Sequence, residues 1–214
     1  MNNSVFIHET ALYVRLQFEQ EGSGHDWWHI QRVWQLAIKI AHHEKADPFL
    51  VEMAALLHDL DDWKLNTPDT DGKRSEKWMQ KLGVPSDQII KIEQIIAEVS
   101  FKGAGVNTTP YTTEAQIVQD ADRLDAMGAI GIARTFAYGG NKNRLIYDPE
   151  IKPEMHLDFE SYKKTNAPTI NHFYEKLLLL KDRMNTNYGK RLAVRRHRFM
   201  KLYLEQFFRE WNLN

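Results

Sequence analysis

The feature that most constrains this chain is the spacing of its apolar residues, which follows a helical and not a strand period. Within the segment 25–45, the apolar positions Trp28, Val33, Leu36, Ile40 and Ala41 recur at helical spacing. Alternating strand patterns are weak, and turn signals lie far apart along the chain. The sequence therefore predicts an all-α fold.

Helix start and stop signals set the predicted bounds. Asp47 can cap a helix that has Pro48 at its first position, where the missing N–H costs nothing. Gly83 stops another helix, and Thr113 with Gln116 has the spacing of a capping box. These signals predict helices at about 5–20, 25–45, 73–82, 87–99, 167–184 and 187–211. Two further helices are predicted, one from Pro48 into the HDLDD cluster (58–62) and one from Thr113 to Gly139-Gly140.

We expect one domain over residues 1–214, with a helical core to about residue 138 and a C-terminal helical pair within about 141–214 that packs on it. Thr186 is the predicted cap between the two last helices. Residues 141–166 are irregular and polar, and loops of that length tend to be functional or mobile. Whether this segment closes over a site is left open by the sequence.

Composition excludes several classes of function. A chain of 214 residues can bury roughly 70% of its unfolded surface, so its size demands no structural metal. The absence of cysteine excludes disulfides, thiolate zinc sites and a cysteine nucleophile, and it fits a reducing, cytoplasmic location. The start does not read as a signal peptide, and no apolar run is long enough to span a membrane. The formal net charge of −1 suggests neither a nucleic-acid nor a membrane partner, and the six tryptophans are expected in the core.

Three segments place ionisable groups inside helices that are otherwise built for burial. They are HDWWHIQRV (25–33), LLHDLDD (56–62) and VQDADRLDA (118–126). Buried, unpaired charges are costly, so such groups are normally paired or bound to a metal. One divalent cation, coordinated by neutral imidazole and carboxylate oxygen, would satisfy all three segments.

The spacing indicates which side chains could bind that cation. His58 and Asp59 are adjacent and lie about 100° apart around a helix, but at a helix end both can lean toward one ion. His29 and one aspartate of the group 120–125 would complete a four-ligand set with positions open for water, as in catalytic sites. Spacing alone does not choose among Asp120, Asp122 and Asp125.

Simpler interpretations exist for each of these residues. His25 and His29 form an i, i+4 pair that could chelate an ion by itself. His42 and His43 are typical of a solvated helix C-terminus, where the helix dipole favours them. The aspartates of 120–125 could form a charged helix face.

Four ordered sequence blocks resemble a known family. The blocks are HDWWHIQRVWQLA, EMAALLHDLDDWK, EVSFKG and QIVQDADRLDAMGAIGIART. Together they resemble the HD-domain metal-dependent phosphohydrolase superfamily, in its small stand-alone bacterial branch, whose members are similar to nucleoside triphosphate pyrophosphohydrolases. The resemblance covers nearly the whole chain.

This resemblance implies a fold, a cofactor and a reaction. The fold is an all-α HD-domain helical bundle with a C-terminal helical extension. One divalent ion (manganese, magnesium, nickel or iron) would be bound by His29, His58, Asp59 and Asp122. The implied reaction is (deoxy)nucleoside triphosphate pyrophosphohydrolysis, by attack of a metal-activated water on phosphorus.

Further roles follow as hypotheses. Asp62 is the predicted base, with Asp61 as the alternative. Lys102, in the glycine-flanked loop FKGAG, and Arg32, three residues after His29, would bind phosphates; Arg32 could instead pair with an aspartate. Asp26 and His25 are expected to orient the ligand side chains without touching the ion.

Several alternatives stay open. The chain could be a nucleoside monophosphate phosphatase, a non-catalytic nucleotide-binding module, a di-iron oxygenase or a protein with a buried polar network only. The basic run KRLAVRRHRFMK is predicted to be a solvated helix face, with a phosphate or nucleic-acid contact as the alternative. The sequence has no zinc finger, no RNA-binding sheet motif and no clear recognition helix. The expected partner is a small phosphorylated molecule, with a nucleotide as the first choice, and a homo-oligomer is compatible with the sequence.

Overall fold

The computed structural model describes residues 2–19, 24, 26–61, 73–99, 108–155 and 167–214. Throughout these ranges the chain forms helices and turns, with no strand, which confirms the all-α prediction. The helices are α1 (Asn3–Phe18), α2 (Trp27–Glu44), α3 (Pro48–Leu57), α4 (Arg74–Leu82), α5 (Ser86–Val99), α6 (Thr113–Asp125), α7 (Gly128–Asn141), α8 (Asn171–Glu175), a 3-10 helix (Leu177–Arg183) and α9 (Asn187–Trp211). None of the described helices is both long and apolar enough to cross a membrane.

The described residues divide into two compact units, and the boundary falls inside α6. The first unit comprises the described residues up to 99 together with 108–121, and the second begins at Asp122. In the first unit α3 contacts α1, α2 and α5. In the second unit α9 contacts α7 and the 3-10 helix, which also contacts α8.

Helix α3 is the central helix of the first unit. All of its residues except Pro48 and Glu52 are buried, as expected for a helix that is apolar on every side. Asp47 caps it by accepting a hydrogen bond from the Phe49 amide at 2.9 Å, and Pro48 is its first residue, as predicted. The Glu52 carboxylate accepts a hydrogen bond from the Trp34 indole of α2 at 2.9 Å. After the capped start, Glu52 is therefore the one polar side chain of α3, and the next polar residues, His58 and Asp59, follow its end.

The buried stripe of α2 matches the predicted one only in part, and Leu36 and Ala41 are half-buried. The sequence predicts Trp28 in the core, but it is 57% exposed, and Trp27 is buried instead. The stripe continues through Val33 and Ile40, both of which are fully buried. His29 lies four residues before Val33, so it shares this inward face.

Two predicted helices are interrupted. The segment expected to be one helix over 113–139 forms α6 and α7, separated by a corner at Ala126 and Met127. The segment expected to be one helix over 167–184 forms the short α8 and the 3-10 helix. Periodicity alone missed both breaks because the apolar spacing of a 3-10 turn or a tight corner resembles that of a continuous helix.

Helix caps agree with the sequence at most positions. Thr186 accepts a hydrogen bond from the Gly189 amide at 3.0 Å, and Gly83 ends α4 with a φ of 78°, both as predicted. The cap of α6 is Thr112 and not Thr113, because the Thr112 hydroxyl accepts from the Ala115 amide at 3.1 Å. The predicted capping box was therefore placed one residue too late.

The corner between α6 and α7 lies in the second unit and is held by an arginine of α9. Gly128 adopts a φ of 73°, and the side chain of Arg196 packs so closely over it that an added Cβ would lie 3.1 Å from Arg196 Cγ. The Arg196 guanidinium also donates a hydrogen bond to the carbonyl of Leu124, in the last turn of α6. The small residues of AMGAIGIA (126–133) thus permit a close approach at this corner.

Candidate metal centre

Helix α2 delivers His29 to the interior of the first unit. The Asp26 carboxylate accepts a hydrogen bond from the His29 amide at 2.8 Å and so caps the helix. Asp26 thereby fixes the backbone of His29, whereas the sequence suggested that it would orient a ligand ring. The His29 side chain is fully buried.

His58 and Asp59 follow directly after the last residue of α3. His58 is the C-cap of α3 with helical dihedrals, and the Leu60 amide closes a turn by donating to the carbonyl of Leu57 at 3.0 Å. We call residues 58–61 the HD turn. Both His58 and Asp59 are buried, with exposed fractions of 6% and 5%. A helix C-terminus carries partial negative charge, so this position favours a cation.

Three polar side chains converge at this point. Asp59 Oδ2 lies 3.3 Å from His29 Nε2, and Asp59 Oδ1 lies 3.4 Å from His58 Nε2. The two imidazole rings stand edge-on, with centroids 5.4 Å apart and planes at 71°. One atom from each of the three side chains lies within 4.8 Å of the others, and no other such group occurs in the part of the chain that the structure describes.

A backbone contact orients the His58 ring. His58 Nδ1 lies 2.9 Å from the carbonyl oxygen of Ala55. A carbonyl can only accept, so Nδ1 carries the proton of the neutral ring and Nε2 presents its lone pair toward Asp59. Nothing in the sequence singled out Ala55, because a backbone acceptor can be contributed by any residue type.

The donors fit a divalent metal ion. Two imidazole nitrogens and one carboxylate form a mixed set that manganese, iron, nickel and zinc accept, and they leave positions for further oxygen ligands. Burial also matters, because a carboxylate between two imidazoles in a dry interior is costly unless a cation or a proton compensates its charge. The residues that the sequence brought together as ligands are therefore compatible with an ion, and their ligand roles stay a prediction.

Asp61 is occupied by contacts at the start of α4. Its Oδ1 accepts from the Arg74 amide at 2.9 Å, and its Oδ2 accepts from the Ser75 amide and hydroxyl at 3.0 and 2.6 Å. The sequence offers Asp61 as an alternative base. Three donors on this carboxylate indicate a structural role in this conformation.

Glu93 of α5 lies close to Asp61 and Ser75 and interacts with both. Burial raises the pKa of Glu93, a hydrogen bond with Ser75 lowers it, and the negative charges of Asp61 and Glu76 raise it. A serine hydroxyl has a single proton to donate, and here it is directed to Asp61. The Glu93 and Asp61 carboxylates therefore compete for this one proton, and burial is the largest cause of the raised pKa of Glu93.

Replacing Glu93 by glutamine tests that arrangement. The folded state disfavours the ionised form of a carboxyl whose pKa is raised above its ordinary 4.5. Such a carboxyl therefore lowers the free energy of unfolding at a pH above its folded-state pKa, and it has no effect at a pH well below 4.5. Because Glu93 is half exposed, solvent screening reduces the effect. We expect Glu93→Gln to raise the Tm by about 1–3 °C at pH 7.5 and by less near pH 4.

Thermal unfolding followed by circular dichroism measures the effect of Glu93→Gln. Asp87→Asn is the control on the same helix, because the Asp87 side chain is 72% exposed and its removal should raise the Tm at neither pH. An equal gain for Glu93→Gln at both pH values would contradict the raised pKa.

The aspartates of α6 differ in their surroundings. Asp125 is buried and forms an ion pair with Arg134 at 3.1 Å. Asp120 is fully buried, and Asp122 is half-buried. The ion pair gives Asp125 a cationic partner within the second unit, whereas the predicted ligand role of Asp122 stays a prediction.

The other predicted residues are placed as follows. Arg32 is half-buried on α2, and its predicted contact with phosphate stays a prediction. His42 and His43 are exposed in the last turn of α2, as expected of a solvated terminus. His25, Asp62 and Lys102 lie outside the described residues, as do residues 63–72.

Comparison with known proteins identifies the family. The HD domain model matches residues 27–127, a range that contains His29, His58, Asp59 and Asp122. The chain is 40% identical to the protein YpgQ of Bacillus subtilis over 198 residues, which cover 91% of this chain and 88% of YpgQ. The chain belongs to the HD-domain family. The predicted resemblance to the HD superfamily is thereby confirmed.

Solved structures agree with this assignment. An HD-superfamily hydrolase from Bacillus thuringiensis, known from a crystal structure, is 44% identical in sequence to this chain over the whole of both chains, and its structure superposes with a TM-score of 0.75. A protein from Lactobacillus plantarum is 36% identical over both whole chains, with a TM-score of 0.90. YpgQ in complex with ADP covers 95% of this HD-domain chain and 97% of its own, at 37% identity and a TM-score of 0.74. The coarse functional class is therefore that of an HD-superfamily hydrolase.

Proposed function

We propose that this HD-domain protein is a divalent-metal-dependent phosphohydrolase of nucleotides, and specifically a (deoxy)nucleoside triphosphate pyrophosphohydrolase. The observation that carries the proposal is the convergence of His29, His58 and Asp59 on one buried point. The relative YpgQ was crystallised with ADP, which supports a nucleotide as the substrate class.

The protein side chains would divide the work of the reaction. His29, His58 and Asp59, with Asp122 as the proposed fourth ligand, would hold the ion. A divalent ion in such a site lowers the pKa of water and polarises a phosphoryl oxygen. Overall, water adds to the α-phosphorus and the bond to the bridging oxygen breaks, which yields a nucleoside monophosphate and pyrophosphate.

Positioning and charge stabilisation account for most of catalysis in phosphoryl transfer. Lys102 and Arg32 are the proposed cations for the phosphate chain. Asp62 is the proposed base that accepts the proton of the attacking water. We prefer it to Asp61 because both carboxylate oxygens of Asp61 accept hydrogen bonds from α4.

A nucleotide panel tests the proposal. The metal-free protein is loaded with manganese, magnesium, nickel or iron, and phosphate and pyrophosphate release are measured separately for nucleoside mono-, di- and triphosphates. We expect one metal per chain and pyrophosphate release from triphosphates. In ¹⁸O-labelled water, attack on the α-phosphorus places the label in the nucleoside monophosphate.

Other outcomes would replace the proposal by a specific alternative. Phosphate release from monophosphates indicates a nucleotidase. Tight nucleotide binding with no turnover indicates a non-catalytic binding module. Two metals per chain favour di-iron chemistry, and no metal uptake leaves a buried polar network.

A further inference from the structure

The start of α4 lacks a cap from its own sequence. Lys73 occupies the N-cap position, and its side chain makes no capping hydrogen bond. The cap comes from Asp61 instead, which receives the amides of Arg74 and Ser75 at 2.9 and 3.0 Å and the Ser75 hydroxyl at 2.6 Å. The first-turn amides of α4 thus gain an anionic acceptor, which is the charge that a helix N-terminus favours.

A side chain of α4 also binds the backbone of the HD turn. The Arg74 guanidinium donates through Nη1 to the carbonyl of Leu60 at 3.1 Å and through Nη2 to Gln17 Oε1 of α1 at 2.9 Å. The HD turn is therefore joined to α4 by four hydrogen bonds from residues 60 and 61. An end of α1 is joined to the same arginine.

These bonds lie on one side of Asp59, and the contact from His58 to Ala55 lies on the other. The backbone around Asp59 is held by the turn in which the Leu60 amide donates to the Leu57 carbonyl at 3.0 Å, and by the α4 contacts of Leu60 and Asp61. The direction of the Asp59 carboxylate, which faces both imidazoles, depends on this backbone. Groups that orient metal ligands in this way commonly alter metal affinity by about 10–100-fold when they are removed.

We propose that Asp61 is a positioning residue: by capping α4 it fixes the HD turn in the conformation that lets Asp59 and His58 bind metal. The inference rests on the metal site of the proposed function. It gives Asp61 a role different from that of a base, and the two roles predict different experimental results.

The test measures Mn²⁺ binding directly. Isothermal titration with Mn²⁺ is carried out on the full chain and on Asp61→Ala, Asp61→Asn and Ser75→Ala, at a temperature where far-UV circular dichroism shows each variant folded. We expect Asp61→Ala to weaken Mn²⁺ binding about 10–100-fold. Asp61→Asn keeps one acceptor and Ser75→Ala removes one donor, so each is expected to lose less. The Co²⁺ absorption spectrum should shift in Asp61→Ala, since the coordination geometry changes.

Thr186→Ala is the matched control. It removes one side-chain cap, from the Gly189 amide at the start of α9, and that cap lies in the second unit. Loss of either cap, that of α4 or that of α9, is expected to cost about 1 kcal/mol of stability. Because Thr186→Ala changes stability without touching the HD turn, its Mn²⁺ affinity should stay within about twofold of wild type. If Thr186→Ala weakens Mn²⁺ binding as much as Asp61→Ala, the positioning role is refuted.

Activity at saturating metal separates positioning from base catalysis. A positioning role predicts that excess Mn²⁺ restores most of the turnover of Asp61→Ala. A base role predicts unchanged Mn²⁺ affinity and a kcat that stays about 10²–10⁴-fold lower at any metal concentration, and this result would overturn the proposal. If Asp61→Ala fails to fold, Asp61→Asn and Ser75→Ala decide in its place.

The failure of the proposed function is distinguishable from the failure of this inference. A wild-type chain that binds Mn²⁺ but hydrolyses no nucleotide refutes the proposed function, and the affinity comparison still decides the role of Asp61. Unchanged affinity in all three variants refutes the positioning role and leaves the proposed function standing. A wild-type chain that binds no divalent metal refutes both.

Discussion

Replacing Asp59 by asparagine is expected to abolish metal binding and to reduce nucleotide hydrolysis by about 10³-fold or more. The Asp59 carboxylate faces both imidazoles, at 3.3 and 3.4 Å. Asparagine keeps its shape but removes the negative charge, and it turns an acceptor into a donor beside a ring nitrogen. The loss should therefore appear in metal affinity itself and in turnover at every metal concentration.

The measurement is the rise in Tm on addition of metal, followed by turnover. For the wild-type chain, Mn²⁺ at 100 times its Kd adds about 2.7 kcal/mol of stability, which raises the Tm by about 5–10 °C in a chain of this size. For Asp59→Asn we expect a rise of less than about 1 °C. Since the buried carboxylate is costly without its ion, the metal-free variant should unfold at the same temperature as the metal-free wild type or at a higher one.

Matched controls exist on the same helices. His29→Ala should behave as Asp59→Asn does, while His42→Ala, an exposed histidine in the last turn of α2, should retain metal binding and activity. Asp47→Ala removes the cap of α3 and should lower stability without removing the metal. Full activity in Asp59→Asn would exclude the proposed site.

Gly131→Ala is expected to destabilise the second unit by about 3 kcal/mol or more, which corresponds to a Tm that is lower by about 6–12 °C. A Cβ at position 131 would lie under 3.0 Å from the carbonyl group of Ala126, at the corner between α6 and α7. Backbone atoms cannot rotate away as a side chain can, so the corner itself would have to open. Chemical denaturation, with urea as the denaturant, measures the change in the free energy of unfolding.

Gly140→Ala provides the opposite expectation on the same helix. Gly140 is exposed near the end of α7, and an added Cβ there meets nothing within 4 Å. Alanine is the better helix former by about 0.5–1 kcal/mol, so this variant should be unchanged or slightly more stable. If Gly131→Ala were as stable as Gly140→Ala, the close approach at the corner would be refuted.

Prediction from the sequence succeeded where the information is local. Helix periodicity gave the all-α class, and the caps Asp47 and Thr186 were found because capping depends on residues two or three apart. Prediction failed where the backbone conformation depends on tertiary packing. The corner at Ala126 and the 3-10 helix Leu177–Arg183 depend on packing in the second unit, and Trp28 is exposed although its spacing matched a buried stripe.

The candidate site shows the same division. The residue types and their order predicted that His29, His58 and Asp59 belong together, because buried imidazoles and carboxylates need a shared partner. The capping of α4 by Asp61 could not be predicted, since 13 and 14 residues separate the carboxylate from its donors. The carbonyl of Ala55 has no sequence signal at all.

The sequence by itself determined the fold class, the family and the chemistry of the donor set, because each depends on residue identity and short-range spacing. The tertiary structure alone decided which atoms meet. Packing of α2 against α3 places His29 beside the HD turn, and the reciprocal hydrogen bonds that join Asp61 and Leu60 to the start of α4 fix that turn. Such contacts join residues that are distant in the chain, and they form only when burial of the apolar faces brings their helices together.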